Sequence, residues 1–99
     1  MMTVVLPLTQ YSKFLSGRSL GEIVRGDIKK LVDNELLVHI DFDGIKLATH
    51  GFCDEAFGVL LETMIKNGEN IGQVGFINAD EDVETIIRYV LVGRNIRDG

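Results

Sequence analysis

The chain has little of what builds a covalent or metal-held fold. Cys53 is its only cysteine, so no disulfide can form within it, and no Cys/His spacing suits a structural zinc. His39 and His50 are too few and too scattered for a metal centre, and no cofactor is expected. Pro7 is the only proline, and no Pro/Gly/Ser-rich stretch divides the 99 residues. One domain is therefore expected, with a frayed tail from about residue 94. No apolar run approaches the ~20 residues of a membrane span. The start, Met-Met-Thr-Val-Val-Leu, has no basic segment ahead of its apolar run, so a secretory signal is not expected and a cytoplasmic location is. Basic residues are also scarce: ten Lys and Arg stand against fifteen Asp and Glu, a net charge of −5. That balance argues against a nucleic-acid partner.

What is present is a regular alternation of patterns. Thr3 to Thr9 alternates Val4, Leu6 and Leu8 on one face, as a strand does, and Pro7 makes it an edge. From Ser19 the spacing turns helical: Leu20, Ile23, Val24, Ile28, Leu31 and Val32 share a stripe that ends near Asn34. Ser19 and Glu22 have the spacing of a capping box. Asp27 falls inside the apolar arc and needs a partner, Lys30 or Arg18. Arg18, Arg25 and Lys29 form a modest basic face that could meet an acidic partner. Residues 35–42 are nearly continuously apolar, which predicts a central strand buried on both faces.

A second helix is predicted from about Gly51 to Lys66, stopping at Asn67-Gly68. Its apolar set is wider than the ~100° a surface helix needs: Phe52, Ala56, Phe57, Val59, Leu60, Leu61, Met64 and Ile65. Asp54, Glu55, Gly58, Glu62 and Lys66 share the remaining narrow stripe. Gly58 within a helix implies that something packs close to its backbone. Cys53 reads as buried and inert. Residues 74–77 form a short strand, and a third helix follows. Asp80, Glu81 and Asp82 lie at its positive end, Val83, Ile86, Ile87, Val90 and Leu91 on its inner face, and Gly93 at its stop. The order β-α-β-α-β-α predicts an α/β domain with helices packed on a small sheet and right-handed crossovers.

The junction Thr49-His50-Gly51 admits several readings. Thr49 can cap the helix while Gly51 eases a tight turn. The junction can dock a partner, or it can take an anion at the helix N-terminus. Asp41 and Asp43 end the central strand, where ligands of open α/β sheets bind, and with Asp54 they could hold a divalent cation. Asp43-Gly44 is also an ordinary turn signal, and that reading is preferred.

Ser16-Gly17-Arg18, the strand ending Ile40-Asp41-Phe42-Asp43-Gly44-Ile45, and the following segment with Thr49, Phe52, Asp54, Glu55 and Gly58 resemble the small STAS-like family of bacterial domains of unknown function. The likeness runs roughly from Phe14 to Arg94. It implies a non-enzymatic regulatory module similar to anti-sigma factor antagonists, docking a histidine-kinase-like ATPase or another protein. In those relatives a serine at the start of the helix after the central strand takes a phosphate. Here that position is Gly51, or His50 one residue earlier, and neither has a hydroxyl. The expected docking surface is the loop from Asp43 to Gly51 with the exposed start of the helix, Asp54, Glu55 and Gly58, and with Arg18 able to grip an anion. A small-ligand or nucleotide-binding domain using Asp41 and Asp43 is the alternative. A homodimer or other homo-oligomer without a switch is the third.

Overall fold

A computed structural model describes residues 1–97. Three strands, β1 (Thr3–Pro7), β3 (Leu37–Asp41) and β5 (Val74–Ile77), form a parallel sheet in the order β1-β3-β5. Two short strands, β2 (Phe14–Leu15) and β4 (Leu47–Ala48), form a separate parallel ladder. Helices α1 (Arg18–Asp33) and α4 (Glu81–Gly93) flank a long helical rod. That rod consists of α2 (His50–Cys53), a π-helical turn (Asp54–Gly58) and α3 (Val59–Lys66), with right-handed helical backbone at both joints. The expected α/β architecture and the edge position of Pro7 are both found.

The central position of β3 is also found, but its second face is not fully covered. Val38 and Ile40 are buried, whereas Leu37, His39 and Asp41 are half-buried and Val5 beside them is exposed. Strand order explains this. Both crossovers, β1 to β3 and β3 to β5, step in the same direction, and crossovers of one hand then place their helices on one face. The core lies between that face and the helices, with Phe42, Phe52, Phe57 and Phe76 in edge-on contacts at its centre.

The width of the second helix's apolar arc has a specific cause. Its buried residues are Phe52, Ala56, Leu60 and Met64, with Cys53, Phe57 and Leu61 beside them. Each i to i+4 step overshoots a turn by about 40° in an α-helix, so three steps drift by about 120°. The π turn, in which the Val59 N–H donates to Asp54 O, inserts one extra residue and takes back about 100°. The arc that is wide at 3.6 residues per turn is a single inward face. Ile65, placed on the stripe by strict α periodicity, is exposed instead, as is Ile23 of α1.

Helix ends correct several expectations. Helix α1 begins at Arg18, one residue before the expected cap, because Gly17 turns the chain with φ of 86° and Gly17 O accepts from Gly21 N–H. Ser19 therefore lies inside the helix, and no side-chain capping box forms. Helix α4 starts as expected, with the Asp80 carboxylate accepting from Val83 N–H at 2.8 Å. It ends at Gly93, as expected, with Arg94 as its cap, and the turn out of it is completed by Asn95, at φ of 59°, after which Ile96 N–H donates back to Leu91 O. The chain from 94 is accordingly packed as far as Ile96, which is buried. Asp27 meets neither Lys30 nor Arg18. It accepts from the Tyr11 hydroxyl at 2.6 Å, a partner from the loop after β1 that helical spacing cannot reveal.

Candidate functional site

The β2–β4 ladder leads directly into the helical rod. Thr49 N–H donates to Leu15 O at 2.9 Å, and Thr49 then caps α2, its hydroxyl oxygen accepting from Phe52 N–H at 3.3 Å. The same oxygen accepts from Gly17 N–H at 3.4 Å, joining the start of α1 to the start of α2. Gly51 adopts no positive φ, and a β-carbon there would lie 3.9 Å from Arg18 Cγ. The junction does not require glycine for its turn, contrary to expectation.

One turn later the polar stripe of the rod is clamped from both sides. Arg94, at the end of α4, donates to both Asp54 oxygens, Nε to Oδ1 at 2.6 Å and Nη2 to Oδ2 at 2.9 Å. Arg18 donates to Asp54 Oδ2 at 2.8 Å and to Glu55 at 3.3 Å, and Arg25 closes on the other Glu55 oxygen. Glu62 accepts from Arg94 at 3.3 Å. Gly58 lies under Arg94: a β-carbon there would stand 2.9 Å from the Arg94 side chain and from Asp54 Oδ1. The close packing that Gly58 implies is thus found, and its source is this chain's own arginine. Fork geometry and opposite charge hold the Asp54 carboxyl well below the usual carboxylate range, the Arg94 hydrogen bonds being the largest cause and Arg18 adding to them. Arg25 and then Arg18 likewise lower Glu55.

This arrangement corrects the expected docking surface. Asp54 and Gly58 are buried and Glu55 is half-buried, so none presents an exposed face. Nor does the basic face of α1 await an outside acid. Arg18 and Arg25 engage Asp54 and Glu55, and Lys29 engages Asp33 at 2.5 Å and Glu69 at 2.8 Å. Of the other candidates, Asp43 and His50 are exposed and Thr49 and Gly51 half-buried. Asp41 accepts from Asn78 at 2.9 Å and from Asp43 N–H at 2.9 Å, the expected turn. Among the described residues no cluster of His, Cys, Asp or Glu could hold a metal ion, so Asp41, Asp43 and Asp54 are not brought together.

Residues that sequence reasoning missed surround the junction. Phe14 and Leu47 are in-register partners on the short ladder and are 62% and 47% exposed, while their neighbours Leu15 and Ala48 are buried. Tyr89 of α4, 73% exposed, stands edge-on to His50 with ring centroids 6.4 Å apart. Beside His50 and Tyr89 is a cleft of about 560 Å³ lined also by Asp54, Glu62, Arg94 and Asn95. Phe14 lies in a two-residue strand too short for any periodicity to mark. Leu47 belongs to the expected docking loop, but its apolar character was not a signal there.

Burial pushes the Cys53 thiol up to about 12. Ellman's reagent at pH 8 is expected to leave the native protein unlabelled and to modify one thiol per chain once it is unfolded in urea. Rapid labelling of the native state would refute the buried, inert reading.

A family described as a STAS-like domain of unknown function matches residues 21–84, well over half of the chain. The chain belongs to that STAS-like family. The matched span of the STAS-like domain takes in β3, β4, the whole rod and β5, but begins after Ser16-Gly17-Arg18, so that motif lies outside it. No curated protein and no solved structure matches. No helix among the described residues is long and apolar enough to cross a membrane.

Proposed function

We propose that this STAS-like domain is a non-enzymatic interaction module that docks a protein partner through the face formed by Phe14, Leu47, His50 and Tyr89. One observation carries the reading. Phe14 and Leu47 are exposed side by side on the β2–β4 ladder that leads into α2, and Tyr89 is exposed against His50 at its start, while the charged stripe of the rod is consumed by internal ion pairs. Aromatic anchors of this kind, with a polar surround, suit protein interfaces. Asp43 and the Thr49–Gly51 junction flank Leu47 and His50 in the chain, whereas Arg18, Asp54, Glu55 and Gly58 belong to the internal clamp. The family likeness favours a histidine-kinase-like ATPase as the partner, in the manner of an anti-sigma factor antagonist. Without a hydroxyl at residues 50 and 51, the contact is a docking contact and not a serine switch.

Titration calorimetry against such an ATPase from the same cell is the test. Phe14→Asp and Leu47→Asp are each expected to weaken binding about tenfold or more, a loss of about 1.4 kcal/mol. Both sites are exposed, so the melting temperature should hardly move. Undiminished binding by both variants would exclude this face. A reproducible rise in melting temperature with nucleotide and magnesium would transfer the reading to a small-ligand domain.

A further inference from the structure

Among the described residues, strand β5 is paired on one side only, with β3, and no strand pairs with its outer edge. Each β–α unit of this sheet sets the next strand one place further on, from β1 to β3 and from β3 to β5. Helix α4 completes a third unit, so a right-handed return after it falls on the outer edge of β5. That place holds a groove of about 1130 Å³. Its wall is the edge itself, Val74 to Phe76, and its floor is apolar, with Leu61, Ile87 and Leu91. The two sheet edges differ. β1 ends in Pro7, whereas Val-Gly-Phe-Ile of β5, though short, carries no lysine or proline.

We propose that this edge accepts a fourth strand from another protein, an extended segment alternating apolar with acidic side chains. Backbone pairing to β5 supplies the register, and the apolar floor takes alternate side chains. The charge of the rim selects the acidic partner. In a chain of net charge −5, the groove is bordered among the described residues by Arg88, Arg97 and a single carboxylate, Glu84. Arg88 and Glu84 form only an exposed i,i+4 pair, which a partner can re-pair, and no carboxylate among the described residues engages Arg97. A second copy of this chain fits less well, because a two-fold pairing of β5 with β5 faces like rims toward each other. The groove shares no lining residue with the cleft at His50, so the two surfaces are separable.

The probe is a fluorescein-labelled peptide of about eight residues alternating isoleucine with glutamate, long enough to span one strand. Its lysine counterpart and a version N-methylated at alternate backbone amides are the controls. Fluorescence anisotropy should show the acidic peptide binding about tenfold or more tightly than the lysine peptide, and the N-methylated one failing to bind. Amide shifts should concentrate at Val74–Ile77. The exposed double variant Arg88→Glu/Arg97→Glu should reverse the preference, while Phe14→Asp leaves it unchanged. Equal affinity for both charges, binding that survives N-methylation, shifts confined to the His50 face, or no binding at about 1 mM would each overturn the proposal. So would self-association through β5 in sedimentation equilibrium, which would make a second copy the occupant.

Discussion

Gly21→Ala is expected to destabilise the domain, while Gly26→Ala, five residues along the same helix, is expected to stabilise it. A β-carbon on Gly21 would lie 2.8 Å from both Phe52 O and Glu55 Cβ, and 3.2 Å from Ala56 N. Two of those atoms are backbone of the rod, which cannot step aside. Helix α1 and the rod must separate, and overpacking of this kind costs about 1–3 kcal/mol, more than the gain in helix propensity. For a domain this size each kcal/mol lowers the melting temperature by about 4–8 °C. Gly26 has nothing within 4 Å, so alanine there keeps only the propensity gain of up to about 1 kcal/mol. Thermal melts of the two variants decide the matter, and a stabilised Gly21→Ala would refute the close crossing of α1 on the rod.

Asp54→Ala is expected to be similarly damaging for an electrostatic reason. The carboxylate accepts three charged hydrogen bonds, two from Arg94 and one from Arg18. Its removal leaves Arg94 with only a 3.3 Å contact to Glu62. Removing one partner of a buried pair costs about 3–5 kcal/mol. The Asp54 and Arg94 side chains are 12% and 26% exposed, so water can replace part of what is lost, and a loss of about 2–3 kcal/mol is expected. Acid should act on the same bond. The folded state holds the Asp54 pKa below its unfolded value of about 4, so the unfolded chain binds more protons as pH drops past that value. The stabilisation is therefore complete above about pH 5 and declines progressively as pH falls toward the depressed folded value. Urea midpoints between pH 7 and pH 3 should fall for the native sequence and fall less steeply for Asp54→Asn. Some slope should persist, since Glu55 is lowered too. Identical slopes would remove Asp54 from the account.

Both predictions concern the seam where α1, the rod and α4 meet, and that seam was the least legible part of the sequence. Arg18, Arg25, Asp54, Glu55 and Gly58 are all visible as one basic face, one acidic stripe and one odd glycine. Periodicity placed them on separate, solvent-facing stripes. It could not show that the basic face lies on the acidic one, nor that Arg94, assigned to the tail, reaches back to both Asp54 and Glu62. Gly21 gave no signal, because a single small residue inside an amphipathic pattern is silent until a second helix crosses it. The π turn did leave a trace: the spacing 52, 56, 60, 64, with no three-residue step, is longer than an α-helix can keep on one face.

Local chemistry by itself determined much of this protein. The alternation of strand and helix patterns, Pro7 at an edge, the Thr49 and Asp80 caps, the Asp43-Gly44 turn and the buried Cys53 are consequences of residues near one another in the chain. Periodicity, capping and backbone freedom act over a few residues, so sequence suffices for them. Only the tertiary structure decided which charges are internal, which apolar residues are left outside, and which sheet edge is free. Those depend on contacts between residues 30 to 40 positions apart, as Arg18 is from Asp54 and Asp54 from Arg94. The candidate docking face and the open edge of β5 are both remainders of that packing. They are what the fold leaves unburied after its own charges and strands have found one another.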